Sequence, residues 1–214
     1  MNKYLKLILG FLAAILFGIG LLVAVFIFEM KPDKDAEEKM MIQAEQYLNE
    51  KFNEDFEIYD VLYDNMGNFE FEYAAKARDK KTHTQFLIYY DSETNQMVDT
   101  YRTDKWEDDL GTEIRPFIKE TFGETTEVFV FFTNENIGQE YNKDPINIGS
   151  YKEVDAAPTI RIRIPRERSA MDDKNLNEVL SFLKSEVQLQ SGSVFIEYIA
   201  DNGEILDEEW WREF

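Results

Sequence analysis

Few residues in this 214-residue chain are of a type and spacing suited to chemistry. His83 is the single histidine, and there is no cysteine. An imidazole can serve as general base, metal ligand or pH switch. His83, however, lies in Lys81-Thr82-His83-Thr84 at a turn-to-strand junction, where an exposed structural histidine is the commoner occupant. One histidine and no cysteine exclude thiol nucleophiles and zinc sites that need several His or Cys ligands. Serine hydrolysis needs a nucleophile beside an activating base. Gly-x-Ser-x-Gly is absent, and Ser181-Phe182-Leu183-Lys184 matches Ser-x-x-Lys by letter only, in the middle of a predicted helix and without partner motifs.

Carboxylates are the abundant reactive groups, with 43 acidic side chains against 23 basic ones. A pair of them could hydrolyse a glycosidic bond. Trp106-Glu107-Asp108-Asp109 and Glu208-Glu209-Trp210-Trp211 put aromatics beside acids as a sugar cleft does. The competing expectation is that the tryptophans fill a core while the acids face water. Arg161, Arg163, Arg166 and Arg168 form the one basic cluster. Strand alternation puts Arg161 and Arg163 on one face and Ile160, Ile162 and Ile164 on the other. These arginines either neutralise neighbouring acids or make a docking patch for an anionic partner or lipid headgroup.

These groups depend on the elements that carry them, and the first element is apolar. Leu7 to Phe28 runs for 22 residues without a charge, preceded by Lys3 and Lys6. As a helix it is about 33 Å long, enough to cross a hydrocarbon core of about 30 Å. A cleaved secretory signal has a shorter core and a small-x-small cleavage site. This stretch ends Val25-Phe26-Ile27-Phe28-Glu29 and reads instead as an uncleaved signal-anchor. Gly10, Ala14 and Gly18 lie four apart along one side, spacing that permits close helix–helix approach. A short basic N-terminus before a first apolar segment stays in the cytoplasm, so the remainder is expected outside it.

All 43 acidic residues and 21 of the 23 basic ones follow position 28, which leaves the rest of the chain at −22. Such a surface repels polyanions, so no nucleic-acid partner is expected. No cofactor is expected, and the acids could hold divalent cations only loosely. Without disulfides, stability must come from an ordinary apolar core, for which about 180 residues suffice.

Asp33 or Asp35 caps a helix with apolar positions Ala36, Met40, Ala44, Tyr47, Leu48 and Phe52. Strands are predicted over 56–63, 69–77, 85–90 and 96–101, with Phe69, Phe71 and Tyr73 on a buried face. A helix over 104–122 presents Trp106, Leu110, Ile114, Phe117 and Ile118 on one side, and Pro116 must kink or restart it. Strands at 125–133 and 159–164 flank a polar stretch, 134–157, long for a compact fold. Asp172 or Asp173 caps a third helix, and a hairpin turns at Asp201-Asn202-Gly203. The fold class is α+β: one transmembrane helix, then antiparallel sheet with helices on one face. The expected segments are 1–6 cytoplasmic, 7–28 spanning, 29–35 linker, and units 36–101 and 102–214, which could equally be one continuous domain.

Ala44-Glu45-Gln46-Tyr47-Leu48-Asn49-Glu50-Lys51-Phe52, Phe56-Glu57-Ile58, and Asp99-Thr100-Tyr101 leading to Trp106-Glu107 resemble small membrane-anchored proteins of Gram-positive bacteria, from families of unknown function. The resemblance covers residues 3–122. It implies a bacterial cell-surface setting and supplies no activity. The expected role is a membrane-tethered interaction or regulatory module, without catalytic activity, whose sheet surface or long 134–157 loop engages another envelope protein or itself. The alternative is an envelope hydrolase using two carboxylates.

Overall fold

The structure is a computed structural model, described here over residues 3–132, 148–154, 156–200, 202–206 and 210–214. Helix α1 (Lys3–Glu29) carries the apolar stretch. Its segment Gly10–Phe28 is long and apolar enough to cross a membrane and buries nothing against the rest of the chain. Helix α2 (Lys34–Lys51) follows after four residues. Asp33 caps it by accepting the Asp35 amide at 2.9 Å, and Asp35 and Glu37 sit at the positive end of its dipole.

Strands β1 (Phe56–Tyr63), β2 (Tyr73–Asp79), β3 (Gln85–Asp91) and β4 (Gln96–Asp99) form an antiparallel meander. Ala75 and Ala77 in β2 are fully buried, and their small side chains let α2 lie close to the sheet. Met40, Ala44, Tyr47, Leu48 and Phe52 supply the helix side of this core. Phe52, Phe56, Phe86 and Tyr101 pack as one aromatic group, with Phe56 and Tyr101 edge-on at 5.0 Å.

Helix α3 (Tyr101–Phe122) leads to β5 (Glu127–Phe131), a 3-10 turn at Tyr151–Glu153, and β6 (Thr159–Ile164). Helix α4 (Asp172–Ser185) then crosses to β7 (Ser193–Tyr198), which pairs with β8 (Trp210–Glu213). The second sheet runs β5-β6-β7-β8. Ile160, Ile162 and Ile164 point inward as alternation requires, against Leu110, Ile114 and Ile118 of α3 and Leu176, Val179 and Leu183 of α4. Tyr101 belongs to the first core and Trp106 through Phe122 to the second, so one helix seals both.

Four expectations need correction. The β6–β7 pair is parallel, because α4 returns the chain to the same end of the sheet before β7 begins. Residues 69–72 are not strand. Asp64 accepts the Met66 and Phe69 amides at 3.1 and 2.7 Å and folds this stretch into a loop, so β2 starts only at Tyr73. Tyr101 opens α3 rather than closing β4. Pro116 leaves α3 one continuous helix. Pro116 is exposed, so the carbonyl one turn back that it cannot satisfy is open to water, while Ile114 and Ile118 hold the buried side. Most of the 134–157 stretch lies outside the described residues.

An exposed proline in a helix interior still costs about 3 kcal/mol relative to alanine where the turn stays regular. Pro116→Ala is expected to raise stability by about 1–3 kcal/mol in chemical denaturation; an unchanged or lowered midpoint would mean the turn is shaped around the proline.

Candidate functional site

The four arginines part into two groups. Arg161 and Arg163 stand on the face of the second sheet that neither α3 nor α4 covers, and both reach Glu197 of β7, at 3.3 and 3.1 Å. Arg163 also lies 3.6 Å from Glu127 and sits over the Phe129 ring. The register aligns Phe129, Arg161, Phe195 and Trp211 in one row across all four strands. Phe195 stacks on Trp211, which is 49% exposed, while Phe129 and Phe131 are exposed on β5 at the opposite edge of the same sheet. Trp211 therefore departs from the expectation that the tryptophans fill a core. Trp106 meets it, buried and donating its indole N–H to the Gly149 carbonyl at 3.0 Å.

Arg166 and Arg168 turn instead toward the start of α4. Arg166 grips Asp172 with two bonds of 2.8 Å, and the same carboxylate accepts the Ser169 amide at 2.8 Å and the Tyr198 hydroxyl at 3.0 Å. Asp172 is 0% exposed. Burial works against its charge, but Arg166, the Ser169 amide and Tyr198 outweigh that and hold its carboxyl below the usual range. It is not the helix cap that the sequence suggested; Met171 occupies the cap position. Arg168 pairs with Asp173 at 3.2 Å and lies 4.3 Å from the centre of the Trp210 ring.

Two carboxyls on α3 have no cationic partner of this kind among the described residues. Burial pushes Glu107 up to about 7, against the pull of its bond from the Phe132 amide at 2.8 Å, and Asp104 adds repulsion. Burial likewise raises Asp104 to about 6, although Thr100 donates its hydroxyl to it. Glu107 thus departs from the expectation that these acids face water. The two lie one helical turn apart, and the groove that Asp104 lines does not include Glu107. Asp104 lines an open groove of about 340 Å³ with Tyr59, Lys76, Gln85 and Thr100, whereas Glu107 ties α3 to the end of β5. The sequence pointed to Glu107 through Trp106-Glu107-Asp108-Asp109, but nothing in it marked Asp104. Glu208 and Glu209 lie outside the described residues.

His83 is exposed at a left-handed turn (φ 64°) between β2 and β3. Asp79 holds that turn by accepting the Lys81 amide and the Thr82 and Tyr101 hydroxyls. Ser181 donates to the Asn177 carbonyl, and Lys184 lies over the Phe214 ring, so these two do not form a nucleophile and base. Among the described residues, no three His, Asp or Glu side chains gather as a metal site. Gly10, Ala14 and Gly18 stay exposed on α1, and a Cβ at Gly10 or Gly18 meets nothing within 4 Å.

Fold and geometry define an α+β protein of two four-stranded sheets, with one N-terminal helix able by length and composition to cross a membrane. No protein-family model matches the chain, and neither does any curated protein. Among solved structures, a DUF5037 family protein from Ruminococcus gnavus ATCC 29149 is similar over 76% of each chain, at 12% identity and a TM-score of 0.41. A likeness that slight carries no functional argument.

Asp172→Asn leaves Arg166 without its counter-charge. The loss expected is about 2–3 kcal/mol, below the range for a fully buried pair because Arg166 keeps some solvent contact. Tyr198→Phe should cost only about 1 kcal/mol. Equal losses in urea melts would contradict an ionic centre. Glu107 gives a pH signature. Its folded pKa lies above its unfolded one, so its contribution is full below about 4.5 and disappears as pH rises through about 7. Asp172 acts in the opposite sense, its contribution disappearing as pH falls below the usual Asp range. Glu107→Gln keeps an acceptor for Phe132 and removes the charge. Its melting temperature should gain on the parent between pH 5 and 8; parallel curves would refute the raised Glu107 pKa.

Proposed function

We propose that this protein is a membrane-tethered module that binds another envelope protein through the open face of its second sheet and has no chemistry of its own. Residues 1–6 remain in the cytoplasm, residues 7–28 span the bilayer, and the α+β body lies outside. Lys3 and Lys6 ahead of an otherwise uncharged segment support this orientation. The resemblance to small membrane-anchored proteins of Gram-positive bacteria supports the same setting.

The observation that carries the binding role is the row Phe129–Arg161–Phe195–Trp211. Aromatic and arginine side chains on a rigid support are the residue types that dominate protein interfaces. A paired sheet holds them in place before any partner arrives, so little order is lost on binding. Glu197 and Glu127 already compensate Arg161 and Arg163, so the face suits a mainly apolar contact rather than a strongly anionic one. Arg166 and Arg168 support the fold and lie outside this face.

The second reading, a carboxylate hydrolase, draws on the raised pKa values of Asp104 and Glu107. Asp104 opens on a groove that Glu107 does not line, and this weighs against it.

Crosslinking in intact cells from a photoreactive residue at Phe131 tests the proposal. A defined envelope protein should be captured, and Trp211→Ala with Phe129→Ala should reduce capture at least tenfold without lowering the melting temperature. Asp104→Asn and Glu107→Gln should leave capture and phenotype intact. Loss of function in those two variants with a folded protein would favour the hydrolase instead.

A further inference from the structure

The end of the first sheet beside the α1 exit carries an apolar surface that the second sheet does not cover. Residues 64–72 join β1 to β2 and contain Met66, Phe69 and Phe71 but no cation. Asp64 fixes their shape. Its carboxylate accepts the Met66 amide, the Asn68 side-chain amide and the Phe69 amide, and its own N–H donates to the Glu72 carbonyl at 2.8 Å. Burial opposes the charge on Asp64, but those donors prevail and hold its pKa below the usual carboxylate value. Gly67 takes the left-handed conformation the turn needs (φ 69°). The closed loop turns Met66 outward at 74% exposure and Phe69 at 50%.

Both ends of this loop are tied to the exit of α1. The Asn65 side-chain amide donates to the Met30 carbonyl at 3.4 Å and lies 2.9 Å from the Met30 sulfur. The Asp33 amide donates to the Tyr73 hydroxyl at 2.9 Å. Met30 is two residues beyond Phe28, the last residue of the apolar stretch, and so roughly 3 Å further along the helix axis. Tyr63 stacks on Tyr73 at 4.9 Å, and Tyr90 is exposed at the same end of the sheet. Tyrosines gather where headgroups meet hydrocarbon because one end of the ring is apolar and the other wet. Phe69 stacks on Phe71, which packs against Tyr89, so the exposed ring stands on a rigid base.

We infer that residues 64–72 rest in the headgroup layer of the bilayer that α1 enters, with Met66 and Phe69 reaching below the headgroups. This rests on the reading of α1 as a membrane span. Glu70 and Glu72 flank Phe71 with no basic residue in the loop, so the fitting surface is zwitterionic lipid rather than anionic lipid. The tether and the loop together make a two-point attachment, which orients the body instead of leaving it to swing on one helix.

The chain has no cysteine, so single cysteines can report depth in the full-length protein. Spin labels at Met66→Cys, Phe69→Cys, Lys81→Cys and Phe17→Cys are compared in phosphatidylcholine vesicles by accessibility to oxygen and to a water-soluble nickel chelate. Position 81 lies at the opposite end of β2, roughly 20 Å away for seven strand residues. Labels at 66 and 69 should favour oxygen over the chelate at a level between the bilayer core at 17 and bulk water at 81. If 66 and 69 match 81 while 17 reads as core, the loop inference falls and the tether stands. Shielding of 66 and 69 from both reagents would show a protein surface covering them and also overturns it. An aqueous reading at 17 overturns the loop and the tether together.

Discussion

Helix α3 carries the constraint on which both sheets depend. Its first residue, Tyr101, is buried among Phe52, Phe56 and Phe86, and its remaining apolar positions close the second core from Trp106 to Phe122. A single rigid element serves both cores only if its faces fall in phase, and α3 does so with Tyr101 in the first core and buried positions at 106, 110, 114 and 118 in the second. Ile148 packs against both cores and reinforces the join. A rotation of α3 that repaired one core would expose apolar surface in the other. This also explains how Pro116 is accommodated: the burial at Ile114 and Ile118 outweighs one missing backbone bond on the wet side.

A chain with a net charge of −20 must place its carboxylates with care. Most stay in water, where mutual repulsion is screened. The buried ones fall into two kinds. Asp172, Asp79 and Asp64 receive converging donors, from an arginine, a tyrosine or backbone amides, and each organises a turn or a helix start. Asp104 and Glu107 are buried with fewer donors and hold their protons more tightly. The arginines are spent mostly on balancing acids within the fold. Arg166 serves Asp172, Arg168 serves Asp173, and Arg161 and Arg163 share Glu197.

Local periodicity made much of this architecture legible. β1 and β6 fall where alternation placed them, 56–63 and 159–164, and the inward isoleucines of β6 follow from spacing alone. The faces of α2, α3 and α4 were equally visible. What escaped was set by specific bonds and by tertiary neighbours that periodicity does not register. Phe69, Phe71 and Tyr73 alternate as strand residues do, yet alternation says nothing of whether a neighbouring backbone is there to pair with, and Asp64 takes the amides first. The parallel β6–β7 pair depends on the direction in which α4 returns the chain. Asp172 looked like a cap because caps are read from position alone, whereas its carboxylate is taken by Arg166, the Ser169 amide and Tyr198, the last 26 residues away. Glu107 looked solvated because its burial depends on β5, and the Phe129–Trp211 row exists only once four strands are in register.

The short exit from α1 limits how the open face could be used. Only Met30, Lys31, Pro32 and Asp33 separate α1 from α2, a stretch that extends at most about 14 Å. The bonds from Asn65 to Met30 and from Asp33 to Tyr73 shorten that reach further by fastening the first sheet to the exit. On the proposed reading, Phe129, Arg161, Phe195 and Trp211 cannot search a large volume. They meet a partner within about one domain diameter of the membrane, because α3 fixes the second sheet to the first. A confined search raises the effective concentration of partners that are themselves membrane-bound and gives no such advantage to freely diffusing ones. On the same reading, a partner anchored in the same bilayer needs less intrinsic affinity for this aromatic face than a dilute soluble one does.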